Sequence, residues 1–314
     1  MLIPISNDLY TEFAVSVKIF LGKAKINLGR IPEEWVKYSF FLQMLQFLQI
    51  HDSDVCHLGG ERFWHKELRE IVYLGSNHFP TYKPFFEVEG KIRFFKRNGQ
   101  IFAEIKDHIF ALPFPHGLAQ LDLVFLKDWY GECNVQNRCV VDVGAFIGDT
   151  AVYFASKGAR KVLAFEAAPP LFRLAEQNVL LNHVEDVVQI KNAALSDRNG
   201  FTRFNYRAFS PSSSSYLNSN VKNPTEFVVK SVSFSEVISS LEYVDLLKLN
   251  CEGAEHQILQ QAYKLNLFEK IGNIMVEIHG IDEKIRGYLK SASYKIVSDR
   301  FCEKGVHYIF AAKN

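Results

Sequence analysis

This sequence has few cysteines, almost no net charge and no long uninterrupted hydrophobic run. Among 314 residues there are 5 cysteines, an odd number, and none forms a C-x-x-C pair. A disulfide framework or a zinc site is therefore not expected. The longest apolar stretch, near residues 35–50, contains Lys37, Gln43 and Gln46, which rules out a membrane span and predicts an amphipathic helix.

Charge and composition exclude other classes of protein. The net charge is only +1, so no strong field attracts nucleic acid, and an RNA substrate is disfavoured. Hydrophobic residues make up 48% of the chain and charged residues 23%, which is typical of a folded protein. The first residues lack the pattern of a signal peptide, and we expect a cytoplasmic protein.

The most informative segment is Val140-Val141-Asp142-Val143-Gly144-Ala145-Phe146-Ile147-Gly148-Asp149-Thr150. An apolar run, two glycines and polar residues that can cap a helix predict a strand, a tight loop and a helix N-terminus. Asp142 takes the place of the first glycine of a dinucleotide fingerprint, where a carboxylate would repel a pyrophosphate. A carboxylate suits a ligand with an ammonium group, and S-adenosylmethionine is such a ligand.

The next predicted strand, 161–166, ends in Glu166 and is followed by Ala167 and a helix that begins at Pro169. An acid at this position, about 20 residues after the glycine loop, can bind both hydroxyls of a ribose. After a third strand at 187–191, Asn192 and Ala193 are candidates to contact adenine. The alternatives are that Asp142 caps a helix, that Glu166 is a solvated strand end and that Asn192 lies in an ordinary turn.

Strands and helices alternate from Cys139 onward, which predicts a parallel sheet. Further strands are predicted at 244–249 and 273–278, then a helix near 282–290 and an antiparallel pair at 294–299 and 306–311. An insertion at 201–233 contains two strand-like segments, Phe201–Tyr206 and Glu226–Val232, around a candidate lid at Ser212–Ser215. The fold class is therefore an α/β, Rossmann-like class I methyltransferase sheet.

The N-terminal part predicts a smaller α+β domain at residues 1–115, which leaves 116–314 for the α/β domain. Helical periodicity covers Glu33–Ile50 and Phe63–Leu74, and strand patterns cover 85–95, Ile101–Ile105 and Asp107–Leu112. Residues Leu118–Trp129 predict a helix. We expect the N-terminal domain to select the substrate.

Polar residues also end the fourth and fifth strands. Asn250 is expected beside the methionine part of the cofactor, and Glu252 in the next loop can face the substrate. Glu277 and His279 are two residues apart and point to one face of the sheet. A carboxylate or imidazole there could remove a hydroxyl proton, with His279 as the candidate general base. The alternatives are a structural histidine or a metal site, which no spacing enforces.

The series VVDVGAFIGDT, VLAFEAAPP, NAALSD, SSSSYL, DLLKLNCEGAE and MVEIHG resembles the FkbM-type methyltransferases over roughly residues 120–314. The resemblance implies a S-adenosylmethionine-dependent enzyme that methylates hydroxyls of sugars and other small-molecule or glycan acceptors. The family pattern at the fourth strand is K-I-D-x-E-G-x-E, and Asn250 replaces its aspartate. An amide can form hydrogen bonds but cannot act as a base.

The cofactor-binding residues expected from these segments lie in the glycine loop and at the ends of the next three strands. They are Asp142, Gly144, Ala145, Phe146, Gly148, Asp149, Thr150, Glu166, Ala167, Asn192, Ala193 and Asn250; the expected catalytic residues are Glu252, Glu277 and His279, and no metal is expected.

Two other functions fit parts of the sequence. ARKVLAFEAAPPLFRLAEQNVLLN also resembles tRNA base methyltransferases, but N-C-E-G stands where those enzymes carry an N-P-P loop. A non-catalytic module that binds S-adenosylmethionine or a partner is favoured by Asn250.

Overall fold

A computed structural model describes residues 55–57, 62–65, 70–73, 92–97, 100–112, 116–206, 225–280, 282–303 and 306–313. The chain forms two compact units, Met1–Glu87 with Phe94–Ile101, and Val88–Arg93 with Phe102–Asn314. The domain boundary after residue 115 stays a prediction. Among the described residues, no helix combines the length and apolar character that crossing a bilayer requires.

The first unit contains a three-stranded antiparallel sheet of β1 (Val55–His57), β2 (Arg62–His65) and β3 (Glu70–Tyr73). The helix predicted at Phe63–Leu74 is therefore wrong. A short apolar period fits a helix or a strand, and the pairing of β2 with β3 outweighs the local helical pattern. The predicted helix at Glu33–Ile50 lies outside the described residues.

Three further strands, β4 (Ile92–Arg97), β5 (Gln100–Ile105) and β6 (His108–Ala111), form a second small sheet in that order. Phe102 pairs with Ala111 in the antiparallel β5–β6 hairpin. This confirms the strands predicted at 101–105 and 107–112. A helix α1 (His116–Leu121) follows and continues as a π-helical turn, Asp122–Leu126, so the predicted helix ends before Trp129.

The remaining elements build the large sheet and its insertion. In chain order they are β7 (Cys139–Val143), α2 (Asp149–Ser156), β8 (Lys161–Glu166), α3 (Pro169–Leu181), β9 (Val188–Asn192), β10 (Ala194–Ser196), β11 (Gly200–Tyr206), β12 (Thr225–Ser233), α4 (Phe234–Ser240), β13 (Val244–Leu249), α5 (Glu255–Lys264), the 3₁₀ turn Leu267–Lys270, β14 (Ile271–His279), α6 (Glu283–Ser291), β15 (Tyr294–Glu303) and β16 (Val306–Lys313).

Seven of these strands form one sheet in the order β15-β16-β14-β13-β7-β8-β9. The pairs from β14 to β9 are parallel, whereas β16 is antiparallel to both β14 and β15. The strands β7 and β13 are buried almost throughout, as expected for a parallel sheet covered on both faces. The predicted Rossmann-like sheet with a final antiparallel hairpin is confirmed.

The insertion forms a separate three-stranded sheet, in which β12 pairs in parallel with β10 and antiparallel with β11. Both predicted strands of the insertion are thereby confirmed. The candidate lid at Ser212–Ser215 lies outside the described residues.

Two asparagines, Asn178 in α3 and Asn182 directly after it, hold the glycine loop and β6 in place. The buried side chain of Asn178 accepts a hydrogen bond from Ala111 N at 2.7 Å and donates to Ala111 O and to Ile147 O. One turn later, Asn182 pairs in the same way with the backbone of Ile109. These amides satisfy backbone groups that would otherwise be unpaired in the interior.

Candidate functional site

The predicted site residues follow the carboxyl ends of β7, β8, β9, β13 and β14. These strands are parallel neighbours, so their ends meet at one edge of the sheet. Ligands of open α/β sheets bind at this edge, near the point where the strand order reverses. Here that point lies between β7, which is followed by the glycine loop, and β13.

The glycine loop is held in shape by its backbone and by the β13 loop. The amides of Gly144 and Ala145 both donate to Phe165 O at 3.0 Å. Gly144 has φ +78°, and a Cβ atom there would lie 1.8 Å from Asn250 O. Only glycine fits at this position. A side chain here would clash with the backbone of the β13 loop before it could reach a bound ligand.

Asp142 is fully buried; its Oδ1 atom forms an ion pair without accepting a hydrogen bond from a described residue, and its Oδ2 atom accepts one. Lys248 Nζ lies 2.9 Å from Oδ1, and the Thr150 hydroxyl donates to Oδ2 at 2.5 Å. Lys248, itself 2% exposed, also donates to Gly144 O at 2.8 Å. Asp142 therefore stabilises the glycine loop through Lys248. To bind a ligand ammonium, it would have to give up its contact with Lys248 or with Thr150.

Glu166 is also buried, but its geometry suits the expected ribose contact. Phe146 N donates to Oε2 at 2.9 Å and Ala168 N donates to Oε1 at 2.8 Å. Burial raises the pKa of Glu166 to about 7 although these hydrogen bonds oppose the rise. Each carboxylate oxygen has a second lone pair that can accept from a ribose hydroxyl.

Asn192 braces the end of β8. Its side-chain nitrogen donates to Glu166 O at 2.9 Å and to Ala167 O at 3.1 Å. Ala193, next along the chain, is buried. An adenine contact with the Asn192 side chain would therefore use its amide oxygen.

Asp149, the first residue of α2, is 2% exposed. Among the described residues, its Oδ1 atom has no hydrogen-bond partner. Burial raises the pKa of Asp149 to about 7, with Lys248 acting in the opposite direction. An unsatisfied buried oxygen is costly, and a polar ligand in this loop would relieve that cost. The residues present therefore fit a donor that brings hydroxyl and ammonium groups.

The β13 loop is organised by Glu255, which is fully buried. Its two oxygens accept from Cys251 N at 2.7 Å and from Gly253 N at 2.8 Å. The loop also contains Glu252, which has φ +56°, an uncommon conformation for a residue with a side chain. Sequence analysis missed this role of Glu255, although an acid in the first turn of a helix is a usual signal for such bonds.

Three carboxylates surround His279 at the end of β14. Its Nδ1 atom lies 3.3 Å from Glu255, and its Nε2 atom lies 3.5 Å from Glu252 and 3.7 Å from Glu277. Burial acts to lower the pKa of His279, but the hydrogen bond with Glu255 and the three negative charges outweigh it and raise the pKa to about 9. The imidazole is therefore protonated at neutral pH.

A protonated imidazole cannot accept a proton, so the geometry argues against His279 as the general base. Of the three residues predicted to be catalytic, Glu252 and Glu277 remain as groups that can accept a proton. Their side chains are 23% and 20% exposed, whereas Glu255 is inaccessible. His279 instead fixes the carboxylates around it.

Asn250 links β13 to this cluster. Its backbone amide donates to Val143 O at 3.0 Å, and its side-chain nitrogen donates to Glu277 Oε2 at 3.2 Å. The same side chain interacts with the hydroxyl of Tyr130, which is 3% exposed. The Tyr130 ring also lies 5.9 Å from Lys248 Nζ. Sequence analysis missed Tyr130, which belongs to no motif, and Lys248, although it occupies the lysine position of the K-I-D-x-E-G-x-E pattern.

No group of histidine, cysteine, aspartate or glutamate side chains within the described ranges is arranged to hold a metal ion.

Comparisons with known proteins agree with this geometry. Residues 142–296 match the family model described as the methyltransferase FkbM domain. The methyltransferase sdnD of Sordaria araneosa is 26% identical over 212 residues, which cover 56% of this chain and 82% of the relative.

Solved structures of other methyltransferases are similar to this chain at a lower level. The ribosomal protein L11 methylase of Lactobacillus delbrueckii subsp. bulgaricus has 16% identity and a TM-score of 0.37 over 63% of this chain and 80% of its own. TrmK of M. capricolum, solved with S-adenosyl-homocysteine, has 14% identity and a TM-score of 0.36 over 60% and 68%. At these values the likeness carries no argument about the acceptor.

Proposed function

Residues 142–296 are a methyltransferase FkbM domain that uses S-adenosylmethionine, and on this premise we propose that the protein methylates a hydroxyl of a sugar or another small-molecule or glycan acceptor. The observation that supports an oxygen acceptor is the acidic rim at the ends of β13 and β14, next to the glycine loop. We further propose a cytoplasmic location.

The donor supplies an activated methyl group on sulfur. Glu166 would hold its ribose, and the glycine loop would lie along its thioether chain. Asn192 and Ala193 would contact the adenine. These contacts place the acceptor near the β13 loop, where Glu252 lies.

The main contribution of the protein to rate would be to hold the acceptor oxygen, the methyl carbon and the sulfur in line and to exclude water. As the new bond forms, Glu252 or Glu277 would accept the hydroxyl proton. A positioned base contributes about 10²–10⁴-fold. His279, already protonated, would orient these carboxylates.

The test is a screen of the purified protein with methyl-labelled S-adenosylmethionine against sugars, glycans, small-molecule alcohols and tRNA. The proposal expects label on a hydroxyl oxygen of a small molecule or glycan. Label in tRNA alone would support the base methyltransferase instead. Donor binding without transfer to any acceptor would support the non-catalytic module.

The contribution of the base is tested on the acceptor found in that screen. Glu252→Gln is expected to reduce turnover about 10²-fold or more while the affinity for the donor is kept. His279→Ala, in contrast, should not remove an acid–base step. Full turnover by the Glu252 variant would remove it from the mechanism.

A further inference from the structure

The donor brings an ammonium group, and the structure changes which carboxylate can bind it. Asp142 was expected to do so from the sequence. Its two oxygens already bind Lys248 and Thr150, and its side chain is fully buried. The carbonyl of Gly144 also accepts from Lys248. The charge of Asp142 is thus balanced within the protein, and the ammonium needs another partner.

We propose that Glu277, held in place by Asn250, is the carboxylate that binds the ammonium group of the donor, which leaves Glu252 as the proton acceptor of the rim. The proposal rests on the cofactor and is independent of the acceptor. Asn250 Nδ2 donates to Glu277 Oε2 at 3.2 Å, so the amide fixes the carboxylate without cancelling its charge. An aspartate at position 250 would place a second negative charge at this distance from Glu277.

Asn250 therefore has a physical explanation as a positioning residue. Two adjacent carboxylates repel each other, and one of them tends to keep its proton. With an amide at position 250, the negative charge of this pair belongs to Glu277 alone.

The place of Glu277 in the sheet suits this role. Glu166, the expected ribose partner, ends β8, and Glu277 lies near the end of β14. Two strands, β7 and β13, lie between them in the sheet. Three strand spacings correspond to about 14 Å. The ribose hydroxyls and the ammonium stand at opposite ends of the donor's thioether chain, and carboxylates at this separation can serve both ends.

The neighbouring acids are less suited to the ammonium. Both oxygens of Glu255 bind backbone amides, and its side chain is inaccessible. Glu252 lies in the β13 loop and pairs with His279 at 3.5 Å, a cation that it shares with Glu277 at 3.7 Å. Asp149, at the start of α2, is the competing candidate, because its buried Oδ1 atom has no hydrogen-bond partner among the described residues.

Two probes separate ammonium binding from the rest of the site. S-adenosylhomocysteine carries the ammonium, whereas 5′-methylthioadenosine keeps the adenosine and lacks the amino acid. By calorimetry, Glu277→Gln should weaken S-adenosylhomocysteine at least about tenfold, since a hydrogen bond to a charged group is lost. The affinity for methylthioadenosine should stay the same, which also shows that the variant is folded.

The decisive variant exchanges the two side chains. Asn250→Asp with Glu277→Gln moves the carboxylate one strand over and keeps an amide beside it. This double variant should recover S-adenosylhomocysteine affinity to within about threefold of the wild type. Glu242→Gln makes the same chemical change at an exposed site before β13 and serves as the matched control.

Three outcomes would overturn the proposal. In the first, Glu277→Gln leaves both affinities unchanged. In the second, it weakens both probes equally, which would show a structural role. In the third, Asp149→Asn alone causes the selective loss. If Glu277→Gln does not fold, Glu277→Asp is the alternative variant, because it keeps the charge on a shorter side chain. An unchanged preference of that variant for S-adenosylhomocysteine over methylthioadenosine would also contradict the proposal. Because no acceptor is present, these results do not depend on the proposed O-methylation.

Discussion

Replacing Asp142 by asparagine should destabilise the second unit strongly, because the ammonium of Lys248 would lose its counter-charge in the interior. Lys248 is 2% exposed and lies 2.9 Å from Asp142. Removing one partner of a buried ion pair costs about 3–5 kcal/mol. For a unit of this size, that loss corresponds to a fall in Tm of roughly 6–20 °C.

The source of this loss can be isolated with a double variant. Lys248→Met alone should also destabilise the protein, since it leaves Asp142 unpaired. Asp142→Asn with Lys248→Met removes both charges and should be more stable than either single variant. Guanidinium unfolding followed by circular dichroism gives the free energies.

The reasoning fails if Asp142→Asn unfolds within about 1 kcal/mol of the wild type, because an uncompensated buried charge would then have been tolerated. It also fails if the double variant is less stable than both single variants. Additive losses of that kind would mean that the two side chains act separately rather than as a pair.

Four further predictions concern single side chains. Glu166→Ala should weaken donor binding about 10–100-fold, as measured by calorimetry. In the wild type the affinity for the donor should rise between about pH 6 and 8, because the Glu166 carboxyl, with a pKa of about 7, ionises over this range. Equal affinities at pH 6 and pH 8 would contradict this. The folded-state pKa of His279 is raised from 6.5 to about 9, so its stabilising effect is complete below pH 6.5 and is lost as the pH rises through 9. The difference in unfolding free energy between wild type and His279→Gln should therefore be larger at pH 6 than at pH 10. Asn178→Leu should lower the unfolding free energy by about 2–4 kcal/mol, since it leaves buried backbone groups unpaired; a loss below 1 kcal/mol would show that these groups find other partners. Gly144→Ala should abolish donor binding because its Cβ would meet the β13 loop, whereas Gly287→Ala, where a Cβ meets nothing within 4 Å, should bind normally.

The sequence predicted the large sheet well because its signals are local. Most of the parallel strands are short apolar runs that end in glycine, proline or polar residues, so the order of strands and helices along the chain can be read directly. Glu166 was placed correctly at a strand end because that position follows from its spacing after the glycine loop. The N-terminal segment Phe63–Leu74 failed because a short apolar period fits a helix or a strand, and only pairing between β2 and β3 decides between them.

The sequence by itself determined the order of strands and helices along the chain, the glycine loop and the set of polar residues at the strand ends. Only the tertiary structure decided their charges and partners. Lys248 forms a buried ion pair with Asp142, and three carboxylates raise the pKa of His279, two interactions that no local sequence signal indicates. Charge interactions depend on distance and burial, which residues far apart in the chain acquire only when the strands come together.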